Sequence, residues 1–398
     1  MSASTKSTRR LSAVTTHKKT IRMKKIFLLT AALAALLTGC QRVSEPETPT
    51  LKSVLGQYFL VGVAMNTDQV SGADSLAQQV VLQNFNSVVA ENCMKQEVLA
   101  PEPGKYDFTE ADRLVKWGND NGLKVVGHTL VWHSQPAPWF FTDDKGQPLT
   151  REALLDRMHQ YISTVMGRYK GKIYGWDVVN EAFEDDGSLR QTPYLRIIGP
   201  DYIEKAFQFA HEADPDAQLY YNDYSMAKPG KRKAVCQLVD SLKAKGLRID
   251  AVGMQSHNGV DYPELAEYET TMDSLFAHGV KINISELDLN LLPNPDNFGG
   301  GAEVSQDFAY QEKMNPYRNG LDSIGQKNFD DRYMAFFDIY RRHKAQIERV
   351  TLWGVADHNS WLNDWPIKGR TSYPLLFDRH YQPKPVVGSI LRLFEQEK

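Results

Sequence analysis

The chain has 398 residues, a formal net charge of -3 at pH 7 and 24% charged residues. This nearly balanced charge argues against a nucleic-acid-binding protein and against a polybasic protein of membrane surfaces, so a neutral partner is expected. The length exceeds one average domain but fits one large domain with insertions, and the 42% of hydrophobic residues can form one large core.

The N-terminus carries the features of an export signal. Residues 1–22 are basic and rich in Ser and Thr, which indicates Met23 as the true start. An apolar stretch at residues 26–37 is too short to span a bilayer as a helix but suits the core of a signal peptide. A short buried helix is the alternative, but nothing amphipathic surrounds the stretch.

The apolar stretch ends in Leu-Thr-Gly-Cys, which resembles a bacterial lipobox. The cysteine of that motif, here Cys40, would become the lipid-modified first residue after removal of a leader at residues 1–40. The sequence therefore predicts an exported, membrane-anchored bacterial lipoprotein. Its expected place is the outer membrane, on the periplasmic or the cell-surface face.

The rest of the chain divides into a short tether and one folded domain. Residues 41–52 begin with the polar, proline-bearing QRVSEPETPT and are predicted to be flexible, which leaves residues 53–398 as a single domain. Besides Cys40 the chain has only Cys93 and Cys236, too few for a disulfide framework, so buried free thiols are expected.

Strand-like and helix-like segments alternate along the domain. Eight apolar, β-branched runs are predicted as strands, at residues 59–65, 87–92, 124–132, 173–181, 218–223, 251–257, 281–288 and 350–357. Helical patterns lie between them, for example at residues 109–121, 151–169, 202–212, 231–245, 330–347 and 386–394. Near-continuous apolar strands that alternate with helices predict a parallel sheet closed into a (β/α)8 TIM barrel. An open doubly wound sheet is the alternative, but the glycine-rich turn that usually follows its first strand is absent.

One connection breaks this alternation. Residues 289–328 are rich in Asn, Pro and Gly and show little periodicity, so they are predicted to form a long insertion. Loops of this length within a domain are usually functional or disordered. On a barrel this loop would follow the seventh strand and lie at the active-site face.

Polar residues stand at the C-terminal ends of the predicted strands, where the apolar pattern would place only core. In a barrel these ends converge on the face where catalytic groups gather. A single strand-end glutamate is more often a salt-bridge partner, but recurrence at seven strands indicates a site. The residues are Glu91, Asn92, Lys95, His128, Trp132, His133, Gln135, Asn180, Glu181, Asn222, Asp223, Tyr224, Gln255, Ser256, His257, Ser285, Glu286, Asp288, Trp353, Asp357, Trp361 and Trp365.

Two carboxylates, several amides and imidazoles, and a ring of tryptophans suit the cleavage of a glycosidic bond. One carboxylic acid protonates the leaving oxygen, a second carboxylate attacks or stabilises the anomeric carbon, and aromatic faces stack on sugar rings. Glu181 and Glu286, on the fourth and seventh strands, would face each other across the barrel. Because two neighbouring acids cannot both ionise freely, one would stay protonated near neutral pH and serve as the general acid.

Three histidines make a metal site the competing interpretation. His128, His133 and His257 could supply imidazole ligands beside Asp or Glu. Barrel metallohydrolases usually carry a His-x-His pair on the first strand, however, and the first strand here, FLVGVAM, contains no histidine. Neither a metal nor an organic cofactor is therefore expected.

Seven short motifs occur along the chain in an order that can be compared with that of known families. They are ENCMK (91–95), GHTLVWHSQ (127–135), WDVVNEA (176–182), YYNDY (220–224), QSH (255–257), ISELD (284–288) and LWGVAD with a following SW (352–361). The set resembles glycoside hydrolase family 10, whose members are retaining endo-β-1,4-xylanases on a (β/α)8 barrel, and the resemblance runs from about Tyr58 to the C-terminus. It implies endo-acting hydrolysis of xylan by double displacement, with Glu181 as the acid/base and Glu286 as the nucleophile.

The same resemblance implies roles for the other strand-end residues. Asn180 would hydrogen-bond the 2-hydroxyl of the sugar being cleaved, and His257 would orient the nucleophile with support from Asp288. The further substrate-binding residues implied are Glu91, Asn92, Lys95, His128, Trp132, Gln135 and Gln255, with Trp353 and Trp361 as aromatic walls of the glycone side and Tyr224 as a platform of the leaving side. Two features depart from the family pattern: the length of residues 289–328, and Cys93, which we interpret as packing.

Two other functions stay open on the residues alone. One is an endo-hydrolase of the same mechanism that prefers β-glucan, because glucose differs from xylose by one hydroxymethyl group and discrimination of that size is limited. The other is a surface lipoprotein that binds xylan without cleaving it, against which the intact Asn180, Glu181 and Glu286 argue. The expected partners are xylan and xylo-oligosaccharides, and a membrane through a lipid on Cys40, and the expected state is a monomer.

Overall fold

The computed structural model describes residues 48–296, residue 298 and residues 305–396. Within them, eight parallel strands close into a barrel, which confirms the predicted (β/α)8 fold. Cys40 and most of the predicted tether lie outside the described residues. Leu51, predicted to be part of the tether, is buried in the first helix, so folded structure begins before residue 53.

The strands of the barrel follow one another around the axis in chain order. They are β1 (Leu60–Met65), β2 (Ser87–Ala90), β3 (Lys124–Trp132), β4 (Gly175–Asn180), β5 (Gln218–Asp223), β6 (Ala251–Met254), the short β7 (His257–Gly259), β8 (Lys281–Asn290) and β9 (Ile347–Leu352). The pairing order is β6-β5-β4-β3-β2-β1-β9-β8, and β8 pairs with β6 to close the barrel. After a break at Gln255 and Ser256, β7 pairs with the end of β8.

Helices precede, connect and follow the strands of the barrel. They are α1 (Leu51–Val54), α2 (Thr67–Ser71), α3 (Ser75–Asn84), α4 (Gln96–Leu99), α5 (Thr109–Asp120), α6 (Arg151–Arg168), α7 (Pro193–Ile198), α8 (Tyr202–Ala213), α9 (Pro229–Ala244), α10 (Leu265–Ala277), α11 (Ser323–Arg342) and α12 (Pro385–Glu395). Short 3-10 turns occur at Leu55–Gln57, Pro138–Phe141, Glu312–Met314, Asp357–Asn359 and Trp361–Asn363. Among these described helices none has the length and apolar character needed to cross a bilayer.

The starts of the longest helices are set by capping residues. The Asp322 side chain accepts a hydrogen bond from the Gly325 N–H (2.7 Å) at the start of α11, and Thr150 accepts one from the Ala153 N–H (3.3 Å) at the start of α6. Proline begins α9 and α12, where its missing N–H costs no helical hydrogen bond. Each cap fixes the point at which a loop from the open end of the barrel becomes helix.

Large side chains fill the barrel interior opposite glycines. A Cβ on Gly62 of β1 would lie 2.7 Å from the Thr351 hydroxyl, and one on Gly175 of β4 would lie 2.4 Å from the Tyr220 hydroxyl. Arg349 of β9 is also buried there, with its guanidinium 5.4 Å from the centre of the Tyr220 ring. Because the interior is packed, a ligand cannot enter the barrel itself, and the expected place for a site is above it, at the C-terminal ends of the strands.

The last part of the barrel departs most from the predicted elements. The helix predicted at residues 330–347 is α11, which begins earlier and ends at Arg342, and the strand predicted at residues 350–357 is β9, which begins at Ile347. The insertion predicted at residues 289–328 is shorter, because β8 continues to Asn290 and α11 begins at Ser323. Cys93 and Cys236 are buried free thiols, as expected.

Candidate active site

A cavity of about 230 Å³ lies at the C-terminal ends of the strands and contains both strand-end glutamates in its lining. Glu181 directly follows β4, and Glu286 lies within β8. The lining also brings together the predicted residues Glu91, Asn92, Lys95, His128, Trp132, Gln135, Asn180, Gln255, His257, Trp353 and Trp361, with Trp365 beside them. Of the other predicted residues, Tyr224 lines a neighbouring cavity and Asp288 lies behind His257.

Glu181 is a buried acid held by three donors. Its Oε2 accepts from the indole N–H of Trp132 (2.8 Å), and its Oε1 accepts from the side-chain amides of Gln255 (2.9 Å) and Asn180 (3.2 Å). Burial raises the pKa of Glu181 above its ordinary value, and the negative charge of Asp223 adds to the rise. The protonated acid therefore persists to a higher pH than it would in an exposed glutamate.

Glu286 is also buried, but its neighbours favour the ionised form of its carboxyl group. Its Oε1 accepts from the side-chain amide of Asn222 (2.7 Å), and its Oε2 lies 3.1 Å from His257 Nε2. Burial alone would raise the pKa of Glu286, but the hydrogen bond from His257 and the charges of His128 and His257 outweigh it and lower the pKa. Glu286 is therefore the carboxylate of the pair that ionises first.

A second carboxylate stands behind His257. The Nδ1 atom of His257 lies 3.0 Å from Asp288 Oδ2, at an angle outside that of a well-directed hydrogen bond. The same Asp288 oxygen accepts a hydrogen bond from the indole N–H of Trp361 (2.7 Å). Burial alone would lower the pKa of His257, but Asp288 and Glu286 together raise it to about 10. His257 is thus a cation at neutral pH with one ring nitrogen directed at Glu286.

Asn222, at the end of β5, connects the surroundings of the two glutamates. Its amide nitrogen donates to Asn180 Oδ1 (2.9 Å) as well as to Glu286, and its Oδ1 accepts from the Ser285 hydroxyl (2.5 Å). The sequence places this asparagine at a strand end, within YYNDY, but indicates no role for it. The role follows from the register of β5 against β6, which sets Asn222 beside Gly253.

Lys95 organises one polar wall of the cavity. Its Nζ donates to Asn92 Oδ1 (2.7 Å) and Gln135 Oε1 (2.7 Å), and it lies 5.1 Å from the centre of the Trp132 ring. Burial lowers the pKa of Lys95, against the pull of the neighbouring glutamates, and burial raises the pKa of Glu91. This wall therefore presents fixed hydrogen-bonding groups to a neutral, hydroxyl-rich ligand.

Tryptophans form another part of the cavity lining. Trp353 packs edge-on against His128 with ring centres 5.3 Å apart. Trp361 stacks on Trp365 at 4.6 Å and packs against His257 at 4.9 Å. Aromatic faces beside fixed polar groups are the arrangement expected for a sugar ring, which has apolar faces and polar edges.

The three histidines of the metal interpretation have other neighbours, and the His133 ring packs edge-on against Trp132 with ring centres 6.1 Å apart. His128 Nδ1 lies 2.9 Å from Asp177 Oδ2, and His257 faces Glu286 and Asp288. Over the ranges that the structure describes, no group of three or more His, Cys, Asp or Glu side chains is arranged to hold a metal ion. These residues therefore do not assemble the ligand set that the metal interpretation requires.

A larger cavity of about 480 Å³ adjoins the first, and His257 lines both. Tyr224 lines this second cavity, in which its hydroxyl accepts from Arg190 and its ring centre lies 4.1 Å from Lys231 Nζ. No sequence motif pointed to Arg190 or Lys231. Phe298, of the long connection, also lines this cavity and packs against Trp365 at 5.6 Å.

Two buried carboxylates with opposite pKa shifts, set between a polar wall and tryptophans at the open end of a (β/α)8 barrel, define a glycoside hydrolase. Residues 50–393 match the sequence profile of glycosyl hydrolase family 10. The chain therefore belongs to this family, and the resemblance found in the sequence is confirmed.

Relatives and solved structures agree with this membership. The chain is 57% identical over 363 residues to endo-1,4-beta-xylanase A of Xylanibacter ruminicola, covering 91% of this chain and 98% of that one. It is 37% identical to an endo-1,4-beta-xylanase of Geobacillus stearothermophilus, covering 87% and 98%. The structure of a GH10 endoxylanase retrieved from a sugarcane soil metagenome superposes with a TM-score of 0.82 at 41% identity, covering 87% of this chain and 100% of that one.

Proposed function

We propose that the chain is an endo-1,4-β-xylanase that retains the anomeric configuration, with Glu286 as the nucleophile and Glu181 as the acid/base. The relatives support the activity, since they are xylanases whose length the chain covers almost completely. The observation that carries the assignment of residues is the opposite pKa shift of two glutamates in one cavity. A nucleophile must be ionised and a general acid protonated at the same pH.

In the first step a carboxylate oxygen of Glu286 attacks the anomeric carbon of a xylose unit, and the bond from that carbon to the bridging oxygen breaks. The proton of Glu181 passes to the bridging oxygen, which leaves as the hydroxyl of the shortened chain. Glu286 enters this step ionised because His257 and Asn222 stabilise its charge.

In the second step a water replaces the departed chain. Glu181, now ionised, takes a proton from that water, whose oxygen attacks the anomeric carbon and releases Glu286. Glu286 carries no negative charge while it is esterified. The pKa of Glu181 therefore falls in the intermediate, which keeps Glu181 ionised and able to act as the base. One water is consumed, and both glutamates return to their starting states.

We infer that Asn180 stabilises the transition state. Its Oδ1 accepts from Asn222 (2.9 Å) and Gln255 (3.3 Å), and its nitrogen donates to Glu181, so its amide is fixed between the two glutamates. We assign it the hydrogen bond to the 2-hydroxyl of the attacked xylose. The walls built around Lys95 and Trp353 would hold the glycone side, and Tyr224 the leaving side.

The test is product analysis of the purified protein on arabinoxylan and on mixed-linkage β-glucan, with Glu286→Gln as the paired control. Short xylo-oligosaccharides from the wild type alone are the expected result. Glucan products in excess would keep the mechanism but move the specificity to β-glucan. No products from either polymer, with xylan still retarding the protein in an affinity gel, would refute the enzymatic assignment.

We further infer that the enzyme is exported and anchored through a lipid on Cys40, on the strength of the leader and lipobox sequence. An inhibitor of lipoprotein signal peptidase should then increase the apparent size of the protein, and a form that begins at Pro46 should not enter the membrane fraction. Protease treatment of intact cells would assign the membrane face, and light scattering of the form that begins at Pro46 would test the expected monomer. Uncleaved, unmodified wild-type protein would contradict the anchor.

A further inference from the structure

The backbone of Glu181 is held in an unfavourable conformation. Its φ of 57° lies in the left-handed region, which is unfavourable for a residue with a Cβ because the Cβ approaches the following carbonyl oxygen. Such a conformation persists only where the surroundings fix it. The Glu181 N–H donates to the Asn222 carbonyl (2.9 Å), the Glu181 carbonyl accepts from Arg190 Nε (3.1 Å), and the next N–H, of Ala182, donates to the Tyr221 hydroxyl (3.0 Å).

The last of these contacts leads to a buried ion pair. The Tyr221 hydroxyl donates to Asp223 Oδ2 (2.5 Å), and Asp223 Oδ1 accepts from Lys231 Nζ (3.0 Å). Tyr221, Asp223 and Lys231 are each 0% exposed. A buried ion pair contributes little net stability because of its desolvation cost. Stability alone is thus a weak reason for a lysine to be buried behind the active site.

Lys231 also touches the leaving side. Its ammonium lies 4.1 Å from the centre of the Tyr224 ring, and the Tyr224 hydroxyl accepts from Arg190, which returns to the Glu181 carbonyl. The contacts therefore form a closed ring. One side of this ring supports the backbone of the acid/base, and the other supports the aromatic platform that would carry the leaving sugar.

We propose that Lys231 is a positioning residue that holds the acid/base Glu181 in register with the leaving-side platform Tyr224, so that the proton is delivered to a correctly placed leaving oxygen. This inference rests on the proposed function. Lys231 acts through Asp223 and Tyr221 on the backbone that follows Glu181, and through a cation–π contact on the platform. It touches neither the substrate nor the reacting atoms.

Lys231 also neutralises Asp223, whose charge acts on Glu181. Lys231 also faces the exposed Asp185, whose carboxylate lies 3.5 Å from its Nζ. The other charged groups around the acid/base are Lys95 before α4, His133 after β3, Arg190 and its partner Glu184 after β4, and Glu286 of β8. Without Lys231, the uncompensated charge of Asp223 would make Glu181 harder to ionise. The basic limb of the pH–rate profile would then move to higher pH.

The test compares two substrates that differ in their need for an acid. Hydrolysis of xylohexaose requires protonation of a sugar leaving group, whereas 2,4-dinitrophenyl β-xylobioside has a leaving group that departs without it. Because general acid catalysis contributes roughly 10²- to 10⁴-fold, Lys231→Met should lower kcat/KM on xylohexaose by at least about tenfold, and change that on the aryl glycoside by no more than about twofold. Lys233→Met, an exposed lysine of the same helix, is the matched control.

A second variant guards against loss of folding. Lys231→Met/Asp223→Asn removes both charges, so no unpaired ion is buried, and the Tyr221 hydroxyl keeps an acceptor. In this double variant the selective loss of kcat/KM on xylohexaose should persist. The basic limb of its pH–rate profile should lie at lower pH than that of Lys231→Met. Equal losses on both substrates, or full recovery in the double variant, would overturn the proposal and leave Lys231 only a structural counter-ion. Failure of the wild type on xylan would refute the proposed function instead.

Discussion

A methyl group added at Gly253 of β6 would clash with the side-chain amide of Asn222. This amide donates to Glu286 and, through Asn180, is linked to Glu181. An added Cβ would be 2.1 Å from Asn222 Oδ1, 2.9 Å from its Cγ and 3.1 Å from the Ser285 hydroxyl. Asn222 is fully buried and cannot move outward, so Gly253→Ala must displace its side chain from Glu286. We expect the variant to fold but to lose activity.

The size of the loss follows from the contact that is broken. The hydrogen bond from Asn222 to Glu286 is 2.7 Å long and ends on a carboxylate. A hydrogen bond to a charged group is worth about 1.5 to 3 kcal/mol. If that energy is lost from the transition state, kcat/KM falls by a factor of roughly 10 to 150.

The assay is kcat/KM on xylohexaose, measured well below the melting temperature and corrected for the folded fraction by circular dichroism. Gly175→Ala is the matched control, since its Cβ would strike Tyr220 in the barrel interior, without contact with either glutamate, and should lower stability more than turnover. If Gly253→Ala loses melting temperature but keeps wild-type kcat/KM, the bridging role of Asn222 is wrong.

Two further perturbations follow from charged groups. His257→Gln removes the cation that lowers the pKa of Glu286, so the acidic limb of the pH–rate profile should move to higher pH; an unmoved limb would contradict the assigned electrostatics. Arg349→Met takes away the guanidinium 3.4 Å from the buried Asp177 carboxylate but leaves it His128 Nδ1 at 2.9 Å, so the variant should cost about 1.5 to 3 kcal/mol of unfolding free energy in urea. Adding Asp177→Asn should recover most of that loss, and no recovery would mean that the pair is not the cause.

The barrel could be predicted because its strands are apolar on both faces. The site could be predicted because polar residues interrupt that pattern at the C-terminal end of seven of the eight predicted strands. The predicted start of the last strand was wrong for a physical reason. Glu348 and Arg349 of β9 have the charged side chains typical of a loop, but in the structure each has a buried partner. Glu348 accepts a hydrogen bond from Tyr220, and Arg349 lies beside Asp177. The beginning of α11 could have been read from Asp322, which caps it.

The contacts that support the glutamates could not be predicted in the same way. Asn222 was visible as a strand-end asparagine, but its bridge between Asn180 and Glu286 depends on the register of three strands. Lys231 lies within the helix after β5, where a lysine is usually solvated, and nothing local marks it as buried. Only the tertiary structure shows that its ammonium reaches Asp223.

The most direct measurement traps the covalent intermediate. A 2-deoxy-2-fluoro β-xylobioside with a dinitrophenyl leaving group slows both steps, while the activated leaving group lets the first step proceed. Mass spectrometry of the digested protein should then find one fluoroxylobiosyl group, on the peptide that contains Glu286, with fragmentation placing it on that residue. A label on Glu181 or another residue would contradict the assignment of the nucleophile. Release of an α-anomeric first product from xylohexaose, with no label at all, would contradict double displacement itself.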